Sequence, residues 1–332
     1  MQQSTKLFWV GLLLAATPAL HCQVKNPAEA TLSRKAERAA RRAERAASPA
    51  ATKPDYADLS YGPYSNNKLD LWLAKPPGPH PLMVFIHGGG FTGGDKRAAN
   101  PTVIRRCLDA GVSFAAINYR FRTEVPIQTV LRDSARAIQF LRWKAKEFNL
   151  DKSRVAALGG SAGASTSLWL AFHPDLAEPR NPDPVLRESS RVSAAAATAT
   201  QATCDVLKWK DILGDSAQQV TDGSDWPSFY GLKSMEELRS PKGEKIRADV
   251  DMLGLISKDD PPVFLIASSR HDALQNRGDV LHSSKHSTAV KKRCDEAGVP
   301  AVLQIDSDDQ AGDHGKGGHI GFLLKHLGVQ AR

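Results

Sequence analysis

The stretch from Arg154 to Leu168 limits what this chain can fold into more than any other. Strand-forming residues Arg154–Leu158 run straight into Gly159-Gly160-Ser161-Ala162-Gly163, and helical spacing of apolar residues follows through Leu168. A backbone that passes from strand to helix over so few residues is strained at its apex. It needs small neighbours, which Gly159 and Gly163 provide. Such a turn holds Ser161 at the tip of a strand. The start of the helix aims backbone N–H groups and the positive end of its dipole at the space beside the hydroxyl. A strand that feeds a helix in this way belongs in a mostly parallel sheet with helices on both faces.

The rest of the chain supplies that sheet. Tyr56–Tyr61 and Lys68–Leu73 read as an opening hairpin with Asn66-Asn67 near its turn. Pro81–Ile86 is a continuous apolar run suited to a buried central strand, and Ser113–Asn118 is the next strand. Helical spacing then runs over Val130–Phe148 through Leu131, Ala135, Ile138 and Leu141. Val192–Thr198, Pro262–Ala267 and Ala301–Ile305 complete the strands, with a helix around Ala289–Ala297. An α/β architecture over residues 55–332, with a mostly parallel central sheet and helices on both faces, is the expected fold. Residues 201–260 interrupt the rhythm with polar, Trp-, Pro- and Gly-containing sequence, and are expected to form a small cap over the site.

The net charge of +8 suggests a nucleic-acid partner until it is located. Residues 1–54 hold nine Lys/Arg against three Glu, so the globular part is nearly neutral and a nucleic-acid role is not expected. Lys6 followed by the apolar Leu7–Leu20 reads as an export signal over residues 1–22. At 14 residues the run is short for a membrane span, though a retained N-terminal anchor would be the one route to a membrane. Lipidation of Cys22 normally requires a small preceding residue, and His21 stands there. Residues 23–54 repeat Ala36-Glu37-Arg38-Ala39-Ala40 seven residues later and read as a helical or flexible spacer. The expected location is therefore periplasmic or extracellular. A Cys204–Cys294 bridge is open in such a compartment, with inert buried thiols as the simpler reading.

Two further signals fit the serine turn. His87-Gly88-Gly89-Gly90-Phe91 closes the Pro81–Ile86 strand, and its glycines let backbone N–H groups turn toward an oxygen that gains charge during acyl transfer. His87 precedes the serine, so it reads as a structural residue of that loop. Asp272 follows the Pro262–Ala267 strand, where a carboxylate would orient a base. His319, in Gly317-Gly318-His319-Ile320-Gly321-Phe322 after the last strand, is the expected base, with His314 as its rival. The other histidines, His282 among them, read as surface or packing residues.

These motifs together resemble α/β-hydrolase esterases of the hormone-sensitive-lipase-like group, and most closely the bacterial acetyl- or feruloyl-esterase-like (BD-FAE-like) domains. Asn118-Tyr119-Arg120 and Leu69-Asp70-Leu71 share in the likeness, which covers residue 55 to the C-terminus. Two departures are Arg270-His271 directly before Asp272 and a longer, more charged loop before His319. The resemblance implies a serine carboxylic-ester hydrolase with Ser161, Asp272 and His319 as a triad and Gly89, Gly90 and Ala162 as the oxyanion hole. It implies no metal or organic cofactor, and a small-molecule or polysaccharide-linked ester as substrate. Amidase, arylformamidase or peptidase chemistry is the alternative on the same fold. A catalytically silent envelope binding module is the alternative of another class.

Overall fold

The computed structural model describes residues 53–215, 217, 225–306 and 317–329. The export signal, Cys22, nearly all of the spacer and His314 lie outside them.

Eight strands form one sheet: β1 (Tyr56–Ser60), β2 (Lys68–Trp72), β3 (His80–Ile86), β4 (Ser113–Ile117), β5 (Leu150–Gly160), β6 (Ala194–Thr198), β7 (Val263–Ala267) and β8 (Ala301–Ile305). Their spatial order is β1-β2-β4-β3-β5-β6-β7-β8. The hairpin β1–β2 and the β2–β4 pair are antiparallel, and every pair from β4 to β8 is parallel. Parallel strands need crossovers, and the helices that make them cover both faces.

Alternation along each strand builds two cores. Leu82, Val84 and Ile86 of β3, Val155 and Ala157 of β5, and Val263 and Leu265 of β7 face one side. Met83, Ala156 and Phe264 face the other. The first side carries α2 (Ile127–Trp143) and α3 (Ala162–Phe172). The second carries α1 (Pro101–Asp109) and the terminal helix α6 (Gly318–His326), while α4 (Arg277–His282) and α5 (Ser284–Ala297) lie between β7 and β8 in the chain. β6 is Ala194-Ala195-Ala196-Ala197, so helices on both faces can approach it closely. A larger residue there would overpack at a cost of roughly 1–3 kcal/mol.

Helix α1 is amphipathic, with Val103, Ile104, Cys107 and Leu108 at helical spacing turned to the second core. It starts because Asn100 accepts a hydrogen bond from the Thr102 N–H and Pro101 occupies the first turn. Helix α3 is buried along its whole length. Its hydroxyls turn inward, with Thr166 donating to the Ala162 carbonyl at 2.9 Å and Ser167 to the Gly163 carbonyl at 2.8 Å. Part of the 201–260 segment covers the far side of this helix, where Trp169 Nε1 donates to the Asp249 carbonyl at 2.7 Å. Cys107, Cys204 and Cys294 are free and buried, so Cys204 and Cys294 do not form the bridge left open by the sequence. No helix of the described residues is long and apolar enough to cross a membrane.

Candidate active site

Ser161 sits between β5 and α3 with φ 53° and ψ −119°, a conformation that L residues rarely adopt. Strain of this kind costs about 1–3 kcal/mol and persists only where the surroundings enforce it. They do so here: the Ser161 N–H donates to the Thr198 carbonyl at 2.9 Å, and the Ser161 carbonyl accepts the Ser165 N–H at 3.0 Å. The turn is possible because helix and strand almost touch. A Cβ on Gly163 would lie 2.0 Å from the Ile86 carbonyl oxygen, and one on Gly159 would lie 2.5 Å from the same atom. Ala162 is the first residue of α3, so its N–H is among those with no partner inside the helix.

The glycine loop after β3 is fastened from below. His87 is buried and stacked on Tyr119 with ring centroids 4.3 Å apart, and the Tyr119 hydroxyl donates to the His87 carbonyl at 2.7 Å. Burial holds the His87 imidazole below its ordinary pKa, which suits a neutral packing role. Gly89 and Gly90 have φ of +120° and +61°, and a Cβ on Gly89 would collide with the Gly93 carbonyl at 2.2 Å. The Asn118-Tyr119-Arg120 and Leu69-Asp70-Leu71 motifs prove to be parts of this fastening. Asn118 Oδ1 accepts the Lys96 N–H at 2.6 Å, and Lys96 Nζ bridges Asp58 and Asp70, each at 2.8 Å. Arg120 grips Asp133 with two nitrogens at 2.6 and 2.7 Å.

The imidazole that meets the serine is that of His282. Ser161 Oγ lies 3.0 Å from His282 Nε2. His282 is the last residue of α4 (Arg277–His282), and its ring is tied back to the Gly278 carbonyl. Burial, with the neighbouring His271 and Arg270, holds its pKa below the ordinary imidazole value, so the ring is neutral and can accept a proton. Next to it, His271 lies with its ring 5.7 Å away and its Nδ1 2.9 Å from Asp279 Oδ1.

Asp272 and His319 are placed apart from this contact. Asp272 follows β7, and its carboxylate accepts the Ser283 hydroxyl at 2.6 Å, the Ser284 hydroxyl at 2.6 Å and the Ser284 N–H at 2.8 Å. Burial opposes its ionisation, but these donors outweigh it and keep the carboxyl below the usual range. The Asp272 carboxylate makes no hydrogen bond to a histidine among the described residues. His319 begins α6 on the second core, with its ring 6.4 Å from that of Phe264 and Nδ1 buried without a partner. The structure therefore does not bring His319 to Ser161. The first turn of α6 packs its side chain against the sheet face instead. A sequence signal for α4 does exist, since Asn276 and Asp279 cap each other through N–H···O contacts of 3.1 and 2.7 Å. Nothing in the sequence says that this helix ends against Ser161.

Beside Ser161 lies a cavity of about 90 Å³ walled by Gly90, Phe91, Cys204, Val206, Trp209 and Phe229. Residues between 201 and 209 and between 226 and 229 thus contribute directly to the wall. Trp209 is held by its Nε1, which donates to the Thr203 carbonyl at 2.9 Å, and by an edge contact with Trp226 at 5.4 Å. The cavity is smaller than the 150 Å³ or so that admits benzene, and so fits a short acyl group.

Comparison with known proteins bears on the fold and the family. The probable carboxylic ester hydrolase LipM of Mycobacterium tuberculosis is 27% identical over 66% of this chain and 49% of its own length. The ethyl acetate hydrolase of Pseudomonas putida is 29% identical over 39% of this chain and 44% of its own. The chain thus spans about half the length, or less, of these relatives. Among solved structures, a truncated carbohydrate esterase from gut microbiota superposes with a TM-score of 0.63 at 18% identity, covering 84% of this chain and 99% of that one. A thermophilic esterase of Thermogutta terrifontis with propionate bound gives 0.57 at 21% identity, covering 84% and 93%. These likenesses establish the α/β-hydrolase fold. Residues 69–283 match the BD-FAE family itself, and on that extent of match the chain is a member of the BD-FAE family.

Proposed function

We propose that this protein is a serine carboxylic-ester hydrolase acting on small or polysaccharide-linked esters outside the cytoplasm. The observation that carries the reading is the 3.0 Å contact between Ser161 Oγ and a neutral imidazole on a strained strand-to-helix turn. In the reaction, Ser161 Oγ attacks the ester carbonyl carbon while His282 Nε2 takes its proton. The carbonyl oxygen becomes negative beside the N–H groups of Ala162, Gly89 and Gly90. His282 returns the proton to the departing alcohol, leaving an acyl-serine. Water then attacks that acyl group by the same route and frees the acid. The short cavity favours acetyl-sized groups, and the Lys6–Leu20 leader supports export.

A second reading keeps Ser161 but gives the proton to His319 or His314, oriented by Asp272. It is favoured by the ionised Asp272 carboxylate at the end of β7, which His282 does not use. Hydrolysis of p-nitrophenyl acetate by Ser161→Ala, His282→Ala, His314→Ala and His319→Ala separates the readings. The serine variant should lose activity by a factor of at least about 10³, and should no longer be labelled by a fluorophosphonate. A loss of similar size in His282→Ala supports the first reading. Retained activity there, with loss in His314→Ala or His319→Ala, establishes the second. Cleavage of amides alone, or an unlabelled Ser161 in the folded wild type, refutes the ester-hydrolase reading.

A further inference from the structure

The wall of the Ser161 cavity carries two charged side chains, and both are arginines. Arg122 is half-buried in the loop after β4, and its N–H donates to the Phe91 carbonyl at 2.7 Å, which ties it to the glycine loop. Arg277 is exposed and opens α4, the helix that ends at His282, with its guanidinium carbon 5.6 Å from the centre of the Trp226 ring. The two thus reach one cavity from different elements, the loop after β4 and the start of α4.

Neither forms a direct ion pair among the described residues, as is true of several other arginines, but only these two line the cavity. Arg120, Arg132, Arg136, Arg154, Arg191 and Arg247 each have a carboxylate within 2.6–3.0 Å. Arg122 and Arg277 have none among the described residues. Asp225 interacts with Arg122 electrostatically, but at longer range than an ion pair. Asp279, on the same helix as Arg277, is engaged by His271 and Asn276. Two unpaired guanidiniums beside an apolar cavity raise the local positive potential where solvent is partly excluded. A guanidinium presents a planar fork of donors that matches a carboxylate.

We propose, building on the ester-hydrolase reading, that Arg122 and Arg277 recognise a carboxylate on the alcohol part of the substrate, so that the preferred esters are acylated acidic sugars. The alcohol part is the one implicated because the cavity of about 90 Å³ has room for only a short acyl group. The half-buried Trp226 at the same wall offers an aromatic surface for the ring that carries the carboxylate.

The test compares acetate release from mono-O-acetyl galacturonic acid and mono-O-acetyl galactose by the full chain, at low and high ionic strength. Alongside it, free galacturonate and galactose are tested for their effect on the melting temperature. At low salt the acidic ester should have a kcat/KM about tenfold higher, equivalent to about 1.4 kcal/mol. The ratio should fall toward one at high salt and in an Arg122→Gln/Arg277→Gln double variant. Galacturonate, and not galactose, should raise the melting temperature of the wild type but not of the double variant. A wild-type ratio near one, or a ratio and thermal shift that the double variant retains, overturns the proposal. A galacturonate shift lost in the double variant, with neither ester cleaved, keeps the anion site and removes the ester-hydrolase reading instead.

Discussion

Within the pentapeptide around Ser161, two glycines that look alike in sequence should respond in opposite ways to a single added methyl group. In Gly163→Ala the new Cβ would stand 2.0 Å from the Ile86 oxygen, 2.7 Å from the Ile86 carbon and 2.9 Å from the His87 oxygen. Carbon and oxygen approach no closer than about 3.3 Å even in short C–H···O contacts, so α3 would have to retreat from β3 by more than about 1 Å. Neither element can give way cheaply. β3 is hydrogen-bonded on both edges, to β4 and to β5, and α3 is buried from end to end. Overpacking of side chains costs about 1–3 kcal/mol, and a backbone-on-backbone collision belongs at or above the upper end. About 3 kcal/mol in a domain of this size lowers the melting temperature by roughly 6–12 °C. The same retreat would carry the Ala162 N–H away from the oxyanion, where misplacement by about 1 Å can reduce turnover some 10²-fold. Gly160→Ala is the control, because its Cβ would find only the Thr198 oxygen, at 3.9 Å. Thermal unfolding followed by circular dichroism, together with p-nitrophenyl acetate turnover, reads both effects. A Gly163→Ala protein that melts within about 2 °C of wild type, or a Gly160→Ala protein that drops as far, would refute the reasoning.

Other consequences follow from the histidines and the cavity. If His282 is the base, only its neutral form accepts the Ser161 proton. Activity should then fall as pH drops through an acid limb centred below 6.5, and a limb centred at neutral pH or above would contradict the assignment. His286 has Nδ1 accepting the Ala202 N–H at 3.2 Å and Nε2 against the Val280 carbonyl at 3.0 Å, an arrangement that fixes one neutral tautomer. Burial pushes its pKa down to about 4. The unfolded chain therefore binds the extra proton first. Stability held above about pH 6.5 should fall as pH drops toward 4, by up to about 3 kcal/mol, and denaturant titrations of His286→Gln should show a flatter decline. Trp209→Ala enlarges the acyl cavity and should raise the rate with p-nitrophenyl butyrate relative to acetate severalfold; an unchanged ratio would mean that another wall sets chain length.

Much of the fold is legible in the residue order. The strand ends expected from sequence lie within a few residues of those observed, and for the central strands the reason is that a strand buried on both faces must be a continuous apolar run bounded by turn residues. The serine turn and the glycine loop are legible for a related reason: both need glycine where the backbone itself makes the contact. Helix α1 is absent from the sequence expectations although Val103, Ile104, Cys107 and Leu108 recur at helical spacing, because nine residues give only two turns of the pattern. The 201–260 segment contains short helices whose packing partners are distant in sequence, so its division between the site wall and the back of α3 could not be read locally.

The Ser161 turn thus came from sequence alone, since strain, small neighbours and a following helix are encoded within ten residues. Which imidazole stands against it is a matter of tertiary structure. Histidines carry no local preference for their partner, and His282 and His319 are distinguished only by where α4 and α6 pack. The same holds for Arg122 and Arg277: their sequence neighbourhoods are unremarked, and only the fold brings two unpaired guanidiniums to one cavity.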